Sequence, residues 1–254
     1  MTCAVLFDMD GVISDTASIH TKAWKAVFDQ VLSNIDPSAP PFNETEDYLR
    51  YVDGKSRPAG IRDFLSSRNL QLPTGEVTDS NVNTICGIGN DKNQIFRKFL
   101  ETEGVKLFED ALIALNTLKQ NNALLGLASS SKNASLVLER TGLTEYFSSI
   151  LDGEVAEENG IKSKPDPEFY TFAARLLGKL PEECIVIEDA ISGVISARDA
   201  GAGLIIGIDR KGDGETLRTN GAGIVVSSLN ELDFSQSKNI FRDILHFQGG
   251  RKVQ

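Results

Sequence analysis

The hydrophobic positions of this chain fall into short unbroken runs set between stretches of helical character. Runs at 3–7, 124–128, 184–187, 203–208 and 223–226 are too short for helices and read as strands buried on both faces. Between them lie helical segments: Leu112, Leu115 and Leu118; Leu136, Val137 and Leu138 before a stop at Gly142; Val194, Ile195 and Ala197 before Gly201. Each glycine stands where a helix C-terminus favours one. Strands alternating with helices predict an α/β fold, a parallel sheet covered on both faces, with its active site beyond the carboxyl ends of the strands.

Residues 17–102 break the alternation. They hold helical segments at 19–32, 57–65 and 92–100, no strand run, and a proline-rich surface loop at 37–41. The expected organisation is therefore a core of residues 1–16 and 103–254 carrying an inserted α-helical cap of residues 17–102.

Composition narrows the function without deciding it. A chain of 254 residues accommodates a core domain plus a smaller insert. With 41% hydrophobic and 24% charged residues, it has the balance of a soluble globular protein. It has no apolar run of the ~18 residues that a membrane span needs and no signal-peptide layout, so no membrane partner and a cytoplasmic location are expected. Cys3, Cys86 and Cys184 lack metal-ligand spacing and read as reduced thiols. A net charge of −10 argues against nucleic acid as a partner. It leaves room for a small phosphorylated molecule, because local cations reverse the field inside a cleft.

The candidate chemistry sits at four strand ends. The run Ala4-Val5-Leu6-Phe7 opens into Asp8-Met9-Asp10-Gly11. Side chains two apart share a face of a strand, so Asp8 and Asp10 point into one space. Such a pair needs a cation between its members or a proton on one of them, which suits a metal site or a nucleophile beside an acid. An ordinary Asp-Gly turn is the alternative. The second run ends in Ser129-Ser130-Ser131, which reads as a helix start able to hold an anion, or as a plain serine cap. Lys164, followed by Pro165-Asp166-Pro167 and then a helix, is either a point charge for a phosphate or a solvated loop lysine. The run Ile185-Val186-Ile187 passes directly into Glu188-Asp189, acids well placed for a shared cation. Oxygen ligands of this kind suit Mg²⁺.

These four motifs in this order resemble those of the haloacid dehalogenase-like phosphotransferases, and more narrowly the β-phosphoglucomutase group. The segment Phe7-Asp8-Met9-Asp10-Gly11-Val12-Ile13-Ser14-Asp15-Thr16, then His20, Ala23-Trp24-Lys25 and Ala128-Ser129-Ser130-Ser131-Lys132-Asn133, follows that group closely. The resemblance implies a Rossmann-like core with a helical cap. Asp8 would be the nucleophile that forms an aspartyl phosphate, and Asp10 the general acid/base. Mg²⁺ would be held by Asp8, the Asp10 carbonyl, Glu188 and Asp189. Ser129 and Lys164 would grip the transferring phosphoryl group, with Ser130 standing where the group carries alanine. Thr16 and His20 would steer Asp10; on its residues alone His20 reads as a satisfied helix histidine, and Trp24 as packing. Arg57, Ser131, Lys132 and Asn133 match the residues that hold a second phosphate in the mutases, and Lys92-Asn93 also resembles their cap. Arg57 taken alone equally reads as a solvent-facing helix residue.

The expected substrate is a small phosphorylated sugar and the expected state a monomer. The expected reaction is interconversion of glucose 1-phosphate and glucose 6-phosphate, with hydrolysis of a sugar phosphate as the alternative and a non-catalytic relative as the third reading. Extra residues at 36–43, further ones before Lys92 and the longer loop Glu157-Glu158-Asn159-Gly160 depart from the group, and loops of this kind shape a pocket.

Overall fold

The computed structural model describes residues 4–235. Cys3 and the 247–254 segment lie outside these residues. The chain divides into two compact units, Met1–Ser14 with Leu107–Gln254, and Asp15–Lys106. The sequence expectation placed the divisions at 16/17 and 102/103. The observed ones fall two and four residues away from these, because the last helix of the insert runs to Glu103 and three more residues follow it.

The first unit is built on six parallel strands: β1 (Ala4–Phe7), β2 (Leu124–Ala128), β3 (Ser149–Leu151), β4 (Cys184–Glu188), β5 (Leu204–Ile208) and β6 (Ile224–Val226). Their order is β3-β2-β1-β4-β5-β6, the doubly wound arrangement in which a crevice opens where the order reverses, at β1. All four residues of β1 are buried, which explains its uninterrupted apolar sequence. In register, Phe7 pairs with Leu127 on one side and with Ile187 on the other. Asp8, Ala128 and Glu188 therefore stand level at one edge of the sheet. The strand β3 escaped the sequence reading because its three residues follow Ser148 and begin with Ser149, which leaves no apolar run.

Nine helices occur among the described residues. The insert holds α1 (Ala17–Ile35), α2 (Arg57–Ser67) and α3 (Ile85–Glu103). The sheet unit holds α4 (Glu109–Gln120), α5 (Ala134–Thr141), α6 (Gly153–Glu158), α7 (Glu168–Leu176), α8 (Ile191–Asp199) and α9 (Gly214–Asn220). Apolar residues of α7 and α8, among them Phe169, Phe172, Val194 and Ala197, pack with Leu6, Ala128 and Val186 of the strands in one core cluster.

The insert is all-helical among its described residues, with a π-helical turn at Tyr48–Val52 between α1 and α2. Its core is aromatic. Trp24 stacks on Phe28 at 4.9 Å, and Phe28 lies 4.0 Å from Phe64 and 5.3 Å from Phe42, ring centre to ring centre. Helix α3 begins seven residues before the expected 92. The run Ile85-Cys86-Gly87-Ile88-Gly89 hides the helical period, but Thr84 caps it by accepting a hydrogen bond from the Gly87 amide. Of the described cysteines, Cys184 is buried and Cys86 is half-buried, and the two form no disulfide with each other.

Candidate active site

Residues from the ends of β1, β2 and β4 meet around one ammonium group. Lys164 is 1% exposed, so every N–H on it must find a partner. Its Nζ donates to Asp8 Oδ1 at 2.6 Å, to Glu188 Oε1 at 2.6 Å and to the Ala128 carbonyl at 2.8 Å. The three donors of the ammonium thus tie three strand ends together, and the solvated-loop reading of Lys164 is excluded. The chain delivers it there from 164-Pro-Asp-Pro-167, just ahead of α7, through a cis Lys164–Pro165 peptide bond.

Glu188 is fully buried and saturated. Its Oε1 accepts from Lys164 and from the Tyr170 hydroxyl at 2.7 Å, and its Oε2 accepts the Asp189 and Ala190 amides, each at 3.1 Å. Gly193 makes room for it, since a Cβ there would lie 1.8 Å from Glu188 Oε1. Asp189 is 2% exposed and pairs through Oδ2 with Lys211, on the loop after β5, at 2.9 Å. A Cβ on Gly11 would fall 2.0 Å from the same Oδ2, and Gly11 also has φ +89°. Two independent constraints therefore require glycine after Asp10.

The electrostatics follow from burial. Burial pushes the Asp8 carboxyl up, Lys164 opposes this, and the charges of Glu188, Asp10 and Asp189 add to the rise. Burial by itself would lower Lys164, but the Asp8 and Glu188 carboxylates outweigh it and hold the ammonium above its ordinary range. The two shifts pull a shared proton in opposite directions. The 2.6 Å contacts to two carboxylates decide for the ion pair, with Lys164 charged. Burial, then Glu188 and Asp8, raise the Tyr170 phenol, so it remains a neutral donor.

One carboxylate oxygen each from Asp8, Glu188 and Asp189 lies within 4.8 Å of the other two, and all three residues are buried. Clustered carboxylates are the donor chemistry of a hard divalent cation, so the residues fit magnesium. Because each Glu188 oxygen already accepts two hydrogen bonds, Asp8 and Asp189 have the greater capacity to spare.

The remaining expected residues divide by unit. Ser129 is buried at the end of β2, and its Oγ accepts the Ser131 amide at 3.2 Å. Ser131 Oγ in turn accepts the Asn133 amide at 3.2 Å. The helix expected to start at these serines begins at Ala134 instead, because the serines spend their hydroxyls on this turn. Asn133 is buried, Ser130 is half-buried, and Lys132 is paired with Glu157 of α6. Asp10 is half-buried, and its backbone bridges to Ser14. Thr16, His20 and Arg57 belong to the helical unit. There Thr16 is fully buried, and Arg57 donates to the Gly89 carbonyl at 3.3 Å instead of facing only solvent. His20 stacks on Phe96 at 4.1 Å and contacts Lys92 through Nδ1.

Sequence reasoning missed Tyr170, Arg210 and Lys211. Tyr170 carried a weak signal, a hydroxyl on the apolar face of α7. Arg210 and Lys211 carried none, since only the sheet order brings the end of β5 to that of β4.

A family model for haloacid dehalogenase-like hydrolases matches residues 3–201. A β-phosphoglucomutase of Mycobacterium bovis is 40% identical over 237 residues, 90% of this chain and 90% of that protein. A phosphorylated carbohydrates phosphatase of Thermotoga maritima is 31% identical over 246 residues, 95% of this chain and 99% of that one. The crystal structure of β-phosphoglucomutase from Clostridium difficile superposes with a TM-score of 0.75 at 27% identity, covering 97% of this chain and 100% of that chain. This chain is accordingly an enzyme of the haloacid dehalogenase-like family, in its β-phosphoglucomutase-like group.

Proposed function

We propose that the enzyme is a magnesium-dependent phosphotransferase that carries the phosphoryl group on Asp8 and interconverts β-glucose 1-phosphate and glucose 6-phosphate. The observation that carries the reading is a buried, lysine-bound carboxylate at the end of the central strand, in a chain 40% identical to a β-phosphoglucomutase. In the first half-reaction an Asp8 oxygen attacks phosphorus, the bond to the leaving sugar oxygen breaks, and that oxygen takes a proton from Asp10. In the second, a sugar hydroxyl returns a proton to Asp10 while its oxygen attacks phosphorus, and the Asp8 carboxylate is restored. Lys164 supplies fixed positive charge beside the nucleophile, and Ser129 a hydroxyl and an ordered turn at the next strand end.

Asp8, the Asp10 carbonyl, Glu188 and Asp189 would hold magnesium, which when bound neutralises phosphoryl oxygens and favours an ionised Asp8. Ser131, Lys132 and Asn133, with Arg57 on family resemblance, are the residues proposed for a second phosphate. Thr16 and His20 are proposed, on the same resemblance, to steer Asp10.

Incubation with β-glucose 1-phosphate, Mg²⁺ and a trace of glucose 1,6-bisphosphate, followed by phosphorus NMR, tests the reading. Glucose 6-phosphate without free phosphate is the expected result, and free phosphate as the main product refutes it. The second reading, a sugar-phosphate phosphatase, is favoured by one observation. Lys132, which a second phosphate needs, is already neutralised by Glu157.

A further inference from the structure

We propose that Arg210, on the loop after β5, is a positioning residue that holds the Asp8–Gly11 turn and thereby aims Asp10 at the leaving oxygen. The proposal rests on the aspartyl-phosphate reading above.

The turn after β1 is closed largely on itself. The Met9 carbonyl accepts the amides of Val12, Ile13 and Ser14 at 3.3, 2.9 and 3.0 Å, and the Gly11 amide donates to the Ser14 carbonyl at 2.8 Å. Such a knot keeps its internal shape but can tilt as a body unless something outside holds it. Arg210 supplies that hold on the side of the Gly11 carbonyl, which accepts from its Nε at 3.4 Å.

The guanidinium itself is fixed from three other directions. Its Nη2 donates to Asp110 Oδ1 at 2.8 Å, its Nη1 donates to the Ser227 carbonyl at 3.3 Å, and its plane lies over the Phe108 ring at 4.1 Å. Asp110 is equally constrained, since its Oδ2 accepts the Ser228 hydroxyl at 2.9 Å and the Leu229 amide at 2.8 Å. Only a planar fork with several N–H donors makes these bonds together, which a lysine cannot do. Phe108 also donates its amide to the Ile13 carbonyl at 3.0 Å, so the ring under Arg210 is bonded to the far end of the same turn. Asp10 lies between Met9 and Gly11, and a small tilt of the turn moves its carboxyl relative to the leaving sugar oxygen.

The test uses two phosphoryl donors with different needs for a proton. A sugar phosphate expels a sugar alkoxide, which needs the acid. Acetyl phosphate expels acetate, a stable carboxylate, and does not need it. In the full-length enzyme, Arg210→Lys is expected to lower kcat on the sugar phosphate on the order of 10- to 100-fold with KM within about twofold, as misplacement of a reacting group does. Phosphorylation of Asp8 by acetyl phosphate, read in a single turnover as phosphoenzyme formed and acetate released, is expected to fall by less than about threefold, because that step does not use the Asp10 acid. Equal losses on both donors, or no loss on either, overturn the proposal in favour of a purely structural clamp. Should Arg210→Lys not fold, Arg210→Ala with added guanidinium replaces it. Rescue confined to the sugar phosphate supports the proposal, and absence of rescue in the folded variant overturns it. Failure of the underlying reading shows separately, as wild-type enzyme that turns over no sugar phosphate.

Discussion

Among the described residues each unit of this enzyme buries one lysine, and the two are set among different neighbours. Lys164 in the sheet unit is 1% exposed and bonded to two carboxylates and a carbonyl. Lys92 in the helical unit is 2% exposed, yet it lies 5.0 Å from the Trp24 ring and 4.7 Å from the Phe96 ring and contacts His20. The first arrangement fixes a charge where acids converge, and removing the cation leaves those acids uncompensated. The second sets a cation against aromatic faces, an attraction weaker than that between buried opposite charges. A buried lysine therefore does not have one meaning. Its neighbours decide whether it neutralises converging acids or lies against aromatic rings.

The comparison can be pressed from its strongest consequence to its weakest. Asp8→Asn should remove the nucleophile and lower turnover on the order of 10⁴-fold or more, as loss of a covalent nucleophile does elsewhere, while circular dichroism shows an unchanged fold. Activity near wild type would mean that the wrong acid has been named.

Lys164→Met should destabilise the sheet unit by about 3–5 kcal/mol in urea denaturation, the cost of breaking a buried pair from one side. Lys92→Met, of similar volume, should cost no more than about 2 kcal/mol. Equal losses for the two variants would end the contrast drawn above.

A pH series probes a different pair, buried Asp110 with half-buried Arg210. Burial tends to raise Asp110, but its bonds to Arg210, Leu229 and Ser228 override this and hold the carboxyl below its usual range. A depressed folded pKa stabilises fully above the unfolded value near ~3.9 and ceases to do so as pH falls through the folded value. The melting temperature of the wild type should therefore drop more steeply below about pH 4 than that of Asp110→Asn; parallel curves would remove Asp110 from the account. The smallest effect belongs to the Glu157–Lys132 pair, whose carboxylate is largely exposed. Glu157→Gln should lower KM for a phosphorylated sugar by about two- to fivefold at low salt, and less at high salt, because exposed pairs are weak and screened.

Much of the sheet was legible because its strands are buried on both faces, which forces continuous apolar runs. The acids and serines at their ends were legible as polar residues placed directly after such runs. What stayed hidden was short or distant. β3 has three residues and no apolar run, and the start of α3 is masked by Gly87 and Gly89. Tyr170 and Arg210 act on residues far from them along the chain, and no local pattern records which strand will lie beside which. The segment Glu157-Glu158-Asn159-Gly160, expected as a loop, was visible as extra residues, but the structure places its first two in α6, and that Glu157 would meet Lys132 was not visible.

The bond between Lys164 and Asp8 joins positions 156 residues apart. During synthesis the first strand leaves the ribosome long before the lysine that neutralises its acid, and β4, its neighbour in the sheet, comes later still. Long-range pairing of this kind is slow and exposes incomplete intermediates. A nascent chain therefore holds Asp8 without its buried ammonium until residues 164–188 have been made, so on the reading proposed above a shorter product has no assembled site.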